Sequence, residues 1–271
     1  MLLGTGTPNA TPERSGSAIA IIVGEKPYLV DFGPGIVRRA IAAHQNGIEA
    51  LRIQNLNFAF LTHMHSDHTA GYPDLILTPW VLGREEPLEV YGPPGTREMT
   101  ENIHKAYQKD IDERLNGLEP ANESGWRVNA HEIAPGLIYQ TENLQVEAIP
   151  VCHGSWQAFG FKFILPDRTV VISGDTAPSS SLVEHAKDCD VLIHEVYSSR
   201  GFRTRPPEWQ RYHSSAHTSA LELAEIASKV KPGLLILTHQ LFWGISEEEL
   251  LEEVRSGYDG KVASGRDLEV Y

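Results

Sequence analysis

The chain has 271 residues, of which 41% are hydrophobic and 22% are charged, and both values are ordinary for a soluble globular protein. It carries 23 Lys and Arg residues against 36 Asp and Glu residues, so its net charge is −13, which argues against nucleic acid as a partner. No apolar run reaches the ~20 residues that span a bilayer, and two cysteines provide no disulfide framework. We expect a protein of the cytoplasm that does not enter a membrane, or an exported one if a leader has been removed.

The N-terminal part of the chain is predicted to be rich in strands. Short apolar runs bounded by Gly and Pro residues predict strands at residues 2–6, 17–23, 28–31, 58–61 and 88–91. Apolar residues at helical spacing predict helices at residues 36–45, 69–80 and 96–115.

The C-terminal part continues with strands and then alternates helices with strands. Strands are predicted at residues 126–133, 137–140, 144–151, 158–165, 169–173, 191–196 and 234–238. Helices are predicted from residue 178, at 216–229 and at 247–256, with a loop up to residue 212 and two short strands at the end. This order favours an α/β protein with two similar βα halves packed as a single domain over residues 1–271.

A dense group of metal-ligand side chains follows the predicted strand at residues 58–61. The sequence FLTHMHSDH places His63, His65, Asp67 and His68 within six positions. Imidazole nitrogens suit zinc and iron, and a carboxylate widens that range. A polar loop with crowded histidines is the alternative, but three histidines and one aspartate at this spacing favour a metal site.

Further ionisable residues stand at the ends of other predicted strands. His153 follows AIPV, Asp175 follows VVISG, and His239 follows LLILT. Because loops at one edge of a sheet converge, these residues can share a site with the first group. Taken one at a time, His153 and His239 are more typical of structural or surface histidines, but together with the first group they favour a metal site.

These residues suffice for two metal ions. In this interpretation one ion is bound by His63, His65 and His153, a second by Asp67, His68 and His239, and Asp175 bridges them. Two ions held ~3.5–4 Å apart can deprotonate a water and stabilise charge on the attacking and leaving oxygens. Nitrogen and oxygen ligands without thiolate predict zinc, with manganese or iron as alternatives.

The motif THMHSDH, together with His153, SGDT at residues 173–176 and LTH at 237–239, resembles the metallo-β-lactamase superfamily. The resemblance covers essentially the whole chain, from LLGTGTP to SGRDLEVY. It implies a four-layer αββα sandwich with two mixed sheets inside and helices outside. It also implies a dinuclear metal site with the ligands named above, including Asp67.

Within that superfamily, LLGTGTP, the HEV of residues 194–196 and HTSALELAEIA of residues 217–227 resemble the ribonuclease Z and arylsulfatase-like branch. The resemblance implies that His217 protonates the leaving oxygen and that Glu195 orients His217. The chemistry supports these roles, since an alkoxide leaves poorly until a histidine held by a carboxylate protonates it. The alternative is a strand-end charge and a histidine at a helix N-terminus. The remaining histidines, His213 among them, are interpreted as surface residues.

Departures from the ribonuclease pattern indicate the substrate. Residues 154–174 leave room for a hairpin but not for the arm with which many ribonuclease Z enzymes grip tRNA. After LTH the chain continues with Gln-Leu-Phe-Trp-Gly, where that pattern has a serine and Arg-Tyr. An apolar or aryl group could therefore bind at Trp156, Phe242 and Trp243, with core packing as the alternative. The arginine-rich loop at residues 200–211 supplies Arg203 and Arg205 as candidate clamps for phosphate or sulfate.

We therefore predict a zinc-dependent hydrolase of small esters. A phosphodiesterase or an arylsulfatase is the favoured activity, and a homodimer is a candidate assembly. The alternatives are a tRNA 3′-processing endoribonuclease, a lactonase or carboxylic esterase, and, outside hydrolases, a di-iron redox protein. A non-catalytic metal-binding module would leave Glu195 and His217 without a use.

Overall fold

The computed structural model describes residues 1–119 and 121–271, and these residues form two compact units. The first unit comprises Met1–Ile133 and Arg266–Tyr271, and the second comprises Ala134–Gly265. Each unit contains one mixed β-sheet and a hydrophobic core of its own. Within the described residues, no helix combines the length and the apolar composition needed to cross a membrane.

The first unit is built on a six-stranded sheet whose strands follow chain order. Its strands are β1 (Leu2–Gly4), β2 (Ala18–Val23), β3 (Lys26–Val30), β4 (Phe58–Phe60), β5 (Leu88–Gly92) and β6 (Val128–Glu132). Its helices are α1 (Ile36–Gln45), α2 (Ser66–Thr69), α3 (Tyr72–Val81), α4 (Thr96–Ala106) and α5 (Gln108–Asn116). Strands β1 to β3 pair antiparallel and β3 to β6 pair parallel, so β3 and β4 end at the same edge. Apolar residues of α1 and α3 complete its core.

The second unit is built on a seven-stranded sheet in the order β13-β12-β11-β10-β9-β8-β7. Its strands are β7 (Gly136–Gln140), β8 (Gln145–His153), β9 (Trp156–Ile164), β10 (Thr169–Ile172), β11 (Val191–Tyr197), β12 (Leu234–Leu241) and β13 (Val262–Ser264). Its helices are α6 (Ser180–His185), α7 (Ser199–Phe202), α8 (Pro207–Ala216), α9 (Ala220–Val230) and α10 (Glu247–Arg255). Pairing is antiparallel from β7 to β10 and parallel from β10 to β13, so β8, β10, β11 and β12 end at one edge.

The structure differs from the predicted elements in three places. The helix predicted at residues 96–115 is divided at Tyr107, between α4 and α5. The predicted loop up to residue 212 contains α7 and most of α8, which begins with Pro207 at a position that suits proline. Of the two predicted closing strands, the described residues form β13 alone.

Candidate metal centre and acid–base pair

The predicted cluster at residues 63–68 lies in the loop after β4 and in α2. His63, Asp67 and His68 are buried, and His65 is half-buried. His63 Nε2 lies 3.0 Å from His65 Nδ1, and His68 Nε2 lies 3.5 Å from Asp67 Oδ2. Two imidazole nitrogens at ordinary distances from one tetrahedral zinc are about 3.3 Å apart. The first unit thus brings the four predicted ligands together at a spacing that suits metal binding.

Asp31, at the end of β3, was not predicted as a site residue, yet it orients two of these histidines. Its carboxylate accepts hydrogen bonds from the Thr62 amide (2.8 Å), the Thr62 hydroxyl (3.0 Å) and His68 Nδ1 (2.7 Å). Because the Thr62 hydroxyl donates to Asp31, it accepts the 3.0 Å bond from His63 Nδ1. In their neutral form His63 and His68 therefore both carry the proton on Nδ1. The lone pair is then on Nε2, the arrangement that is typical of histidines that bind a metal.

The backbone of Asp31 has a φ of 60°, in the left-handed region that few residues other than glycine adopt. Asp tolerates this conformation better than most residues, and such strain is common at functional sites. An aspartate directly after an apolar strand, before Phe-Gly-Pro-Gly, was the one available signal in the sequence.

The second unit gathers the other predicted residues from the common edge of β8, β10, β11 and β12. Two groups have ligand atoms within 4.8 Å of one another: His153, Asp175 and His217, and Glu195, His217 and His239. All five side chains are buried. His153 Nδ1 donates to the Ala216 carbonyl at 2.7 Å, which leaves Nε2 as the ligand nitrogen.

An irregularity in β12 determines the direction of the His239 side chain. Thr238 pairs with Glu195 and Gln240 with Val196, so His239 is an extra residue in this ladder. Its φ of 45° is again left-handed. A bulge of this kind redirects a side chain at the end of a strand. His239 Nε2 consequently lies 3.6 Å from Asp175 Oδ2.

His217 and Glu195 form the buried pair that the sequence predicts. His217 Nδ1 lies 3.1 Å from Glu195 Oε1, which also accepts the amides of Thr176 (3.1 Å) and Thr218 (3.2 Å). Burial, followed by the Asp175 carboxylate, raises the pKa of Glu195 well above its ordinary value, and the two amides act in the opposite direction. With Nδ1 on the carboxylate, Nε2 of His217 is the atom that can give a proton to a substrate.

The residues predicted to contact substrate all belong to the second unit. Trp156 is 44% exposed in β9, and Arg203 is exposed just after α7. Phe242 packs partly buried against the core, while the Arg205 guanidinium lies 5.7 Å from the ring centroid of Trp243. Their roles in substrate binding stay predictions.

The expectation that His213 is a surface residue is wrong. His213, in α8, is 8% exposed, and its ring centroid lies 4.5 Å from that of Trp243 and 5.3 Å from that of His217. Burial, followed by the charges of His217 and Arg205, lowers the pKa of His213 to about 4. The neutral ring of His213 therefore belongs to an aromatic cluster that contacts His217. The arginine-rich composition of this segment gave no indication of that cluster.

Comparison with known proteins identifies what this arrangement resembles. A family model described as the Beta-lactamase superfamily domain matches residues 27–240. The ribonuclease Z of Mycobacterium marinum is 30% identical, over 98% of this chain and 95% of that protein.

Two solved structures share the fold. The metallo-β-lactamase fold protein YhfI from Bacillus subtilis aligns with a TM-score of 0.76 and 18% identity, over 98% of this chain and 95% of that one. The short form of human tRNase Z aligns with a TM-score of 0.73 and 22% identity, over 100% and 97% of the two chains. The fold class predicted from the sequence, two mixed sheets flanked by helices, is confirmed.

Proposed function

The chain belongs to the metallo-β-lactamase superfamily, and from this premise we propose that it is an endoribonuclease that hydrolyses a phosphodiester bond of RNA. Its fold and its His/Asp clusters are those of a metal-dependent hydrolase. The sequence predicts hydrolysis of small esters first and a tRNA 3′-processing endoribonuclease as an alternative. The relatives named ribonuclease Z favour that alternative. They also weigh against the expectation that nucleic acid is not a partner.

We propose that the ligands predicted from the sequence hold two metal ions. His63, His65 and His153 would hold one ion, Asp67, His68 and His239 the other, and Asp175 would bridge them. The family match supports this assignment because residues 27–240 include all of these positions. So does the donor chemistry, since His63, His68 and His153 are all hydrogen-bonded at Nδ1 with Nε2 as the ligand nitrogen.

Nitrogen and oxygen donors without sulfur fit zinc, and manganese or iron are the alternatives. Two such ions, when bound, would polarise the phosphodiester and lower the pKa of a water molecule.

The observation that carries the choice of reaction is the hydrogen bond between His217 and Glu195. A ribose alkoxide is a poor leaving group, and departs readily only when it is protonated as the P–O bond breaks. Glu195 holds the Nδ1 proton of His217, so that protonated His217 presents an Nε2–H to the departing oxygen. An activated aryl ester needs no such proton, and a buried acid would be idle in its hydrolysis.

The experiment compares His217→Ala with the unmodified protein on two substrates, a precursor tRNA and bis(4-nitrophenyl) phosphate. We expect kcat/KM to fall about 10³-fold on the tRNA, the scale of general acid catalysis, and only slightly on the aryl phosphodiester. Equal loss on both substrates would contradict the role of His217 as an acid.

A control separates catalysis from metal binding, because His217 also belongs to both groups of potential ligands in the second unit. We expect His217→Ala to retain the full metal content, as measured by elemental analysis, and His239→Ala to lose part of it. Loss of metal from His217→Ala would make His217 a ligand instead.

A second candidate, hydrolysis of a small phosphodiester or aryl sulfate, rests on a different observation. Between His153 and Asp175 the chain forms strands β9 and β10 and their short connection, with no inserted arm that could grip tRNA. The net charge of −13 also disfavours RNA as a substrate. If the protein hydrolyses small phosphodiesters or aryl sulfates with high kcat/KM and leaves precursor tRNA intact, this candidate replaces the first.

A further inference from the structure

Helix α8 presents two exposed aromatic side chains beside the proposed acid. Trp209 is 48% exposed and Tyr212 is 38% exposed, and they stand three positions apart (i, i+3) on the helix, so they share one face. Their ring centroids are 5.9 Å apart with the planes at 85°. The ring of Tyr212 lies 5.8 Å from that of His217. An aromatic surface therefore adjoins the atom that would protonate the leaving group.

Less exposed rings, His213 and Trp243, support this surface from within the second unit. The Trp209 ring lies nearly parallel to that of His213, at 25° and 5.7 Å. His213 in turn packs on Trp243, whose ring lies close to the guanidinium of Arg205. Trp209 and Tyr212 are thus held by a second layer, so they would lose little conformational freedom on binding a ligand.

The segment that leads into α8 is positively charged in an acidic protein. Residues 200–211 contain four arginines and one glutamate, a net charge of +3, whereas the whole chain carries −13. Arg200 is paired with Glu249. Arg203 and Arg211 are exposed, and neither forms an ion pair with any residue that the structure describes. Exposed arginines in the same segment as exposed rings suit a ligand that is both anionic and aromatic.

Building on the proposed cleavage of RNA, we propose that Trp209 and Tyr212, the α8 platform, stack on an unpaired nucleobase next to the scissile phosphate. Arg203 and Arg211 bind neighbouring backbone phosphates. Unpaired bases in RNA are recognised by stacking on aromatic side chains, and arginine binds phosphate oxygens in pairs. Stacking tolerates any base, so the platform would bind single-stranded RNA without sequence preference and compensate for the absence of a long arm after His153.

The test is a cycle that combines Trp209→Ala with removal of the base. A precursor RNA carries an abasic ribose at either nucleotide that flanks the cleaved phosphate. We expect Trp209→Ala to raise KM about tenfold on the normal RNA, with kcat nearly unchanged. One of the abasic RNAs should show a similar rise with the unmodified protein, and combining both changes should add little. If Trp209→Ala raises KM by the same factor on normal and on abasic RNA, the two changes are additive, and that result would overturn the platform.

Further variants check the geometry and the charges. Trp209→Phe should retain most of the affinity, and Tyr107→Ala, which removes an aromatic side chain of similar exposure (41%) from the first unit, should change nothing. Arg203→Ala should reduce the slope of log KM against log salt concentration by about 0.7, the value for one phosphate contact on single-stranded nucleic acid. An unchanged slope would remove Arg203 from the proposal.

The outcomes separate this inference from the proposed function. If the unmodified protein cleaves the precursor and the cycle is additive, the ribonuclease stands and the platform falls. If it does not cleave, the proposed function fails, and the same cycle measured by fluorescence anisotropy of a labelled oligoribonucleotide still tests the platform. Circular dichroism of each variant must match the unmodified protein, so that a lost helix is not mistaken for a lost contact.

Discussion

The two units hold their ionisable loops by different means. In the first unit, the loop after β4 depends on the buried side chain of Asp31, and a second buried charge, Arg84, holds the chain at the other end of β4. In the second unit, Glu195 orients His217, but backbone geometry positions the predicted metal ligands, through the bulge at His239 and the Ala216 carbonyl on His153. The first arrangement concentrates the geometry of a cluster in single residues. The second distributes it over the ends of four strands.

Arg84 makes the contrast clearest, because it is fully buried and binds only carbonyls. Its guanidinium donates to Leu56 (2.7 Å), Leu75 (2.9 Å), Ile76 (2.7 Å) and Gly125 (2.8 Å). Burial lowers the pKa of Arg84 to about 10, so it remains charged at neutral pH. It ties α3 to the segments that precede β4 and β6, at the edge of the sheet opposite the loop after β4.

The largest effect is therefore expected from Arg84→Ala. Four carbonyls would lose a charged donor inside the core, and the free energy of unfolding should fall by about 4 kcal/mol. Arg84→Lys should recover little, because one ammonium cannot reach carbonyls that the planar guanidinium spans. Chemical denaturation measures both.

Arg97→Ala, an exposed arginine of the same unit, is the matched control and should change the free energy of unfolding by less than about 0.5 kcal/mol. If Arg84→Ala costs no more than this control, the first unit does not depend on a single buried charge.

The same contrast explains what the sequence could predict. The cluster of the first unit is contiguous, so spacing and ligand chemistry sufficed to identify His63, His65, Asp67 and His68. His153, Asp175 and His239 were identified as strand-end residues. The convergence of loops at one sheet edge joined them into a predicted site, and the resemblance to a family implied the same ligands. Asp31 was missed because its role depends on β3 lying beside β4, and that pairing is not visible in a local pattern.

The misplaced elements have physical causes of the same kind. The apolar spacing that predicts one helix continues through Tyr107 into α5. In the structure Tyr107 is 41% exposed whereas Ile111 is buried, so the two residues do not share one buried face, and the helix is divided at Tyr107. The arginines and prolines at residues 200–211 suggested a loop, whereas Pro207 begins α8. The bulge at His239 has no sequence signature.

A smaller effect, on metal affinity, is expected from Asp31→Asn. Asparagine tolerates the left-handed backbone of Asp31 and can still accept from Thr62, but its amide cannot replace the carboxylate that orients His68. Affinity for zinc should fall 10–100-fold, about 2 kcal/mol. Competition with a chelating dye measures it, and Asp112→Asn, at an exposed site in α5, is the control. Unchanged affinity would show that His63 and His68 are oriented without Asp31.

The smallest effect is expected at a buried carboxylate of the second unit that lies outside the acid–base pair, that of Glu253. It accepts hydrogen bonds from the Ser198 hydroxyl (3.0 Å) and from the amides of Ser199 (2.7 Å) and Arg200 (3.1 Å), at the start of α7. Glu253→Gln keeps an acceptor and the shape but removes the charge. The free energy of unfolding should therefore fall by only about 1 kcal/mol, the scale of one charge-assisted bond at a helix start.

Glu252→Gln, one residue away on α10 and exposed, provides the baseline for this measurement. Because the strand ends of the second unit are fixed by backbone pairing, Glu253→Gln should also leave the metal content unchanged. A loss as large as that of Arg84→Ala, or a loss of metal, would mean that the second unit depends on a single buried charge as much as the first. The contrast between charge-held and backbone-held loops would then fail, and the strand-end residues would have to be treated as equally sensitive to substitution.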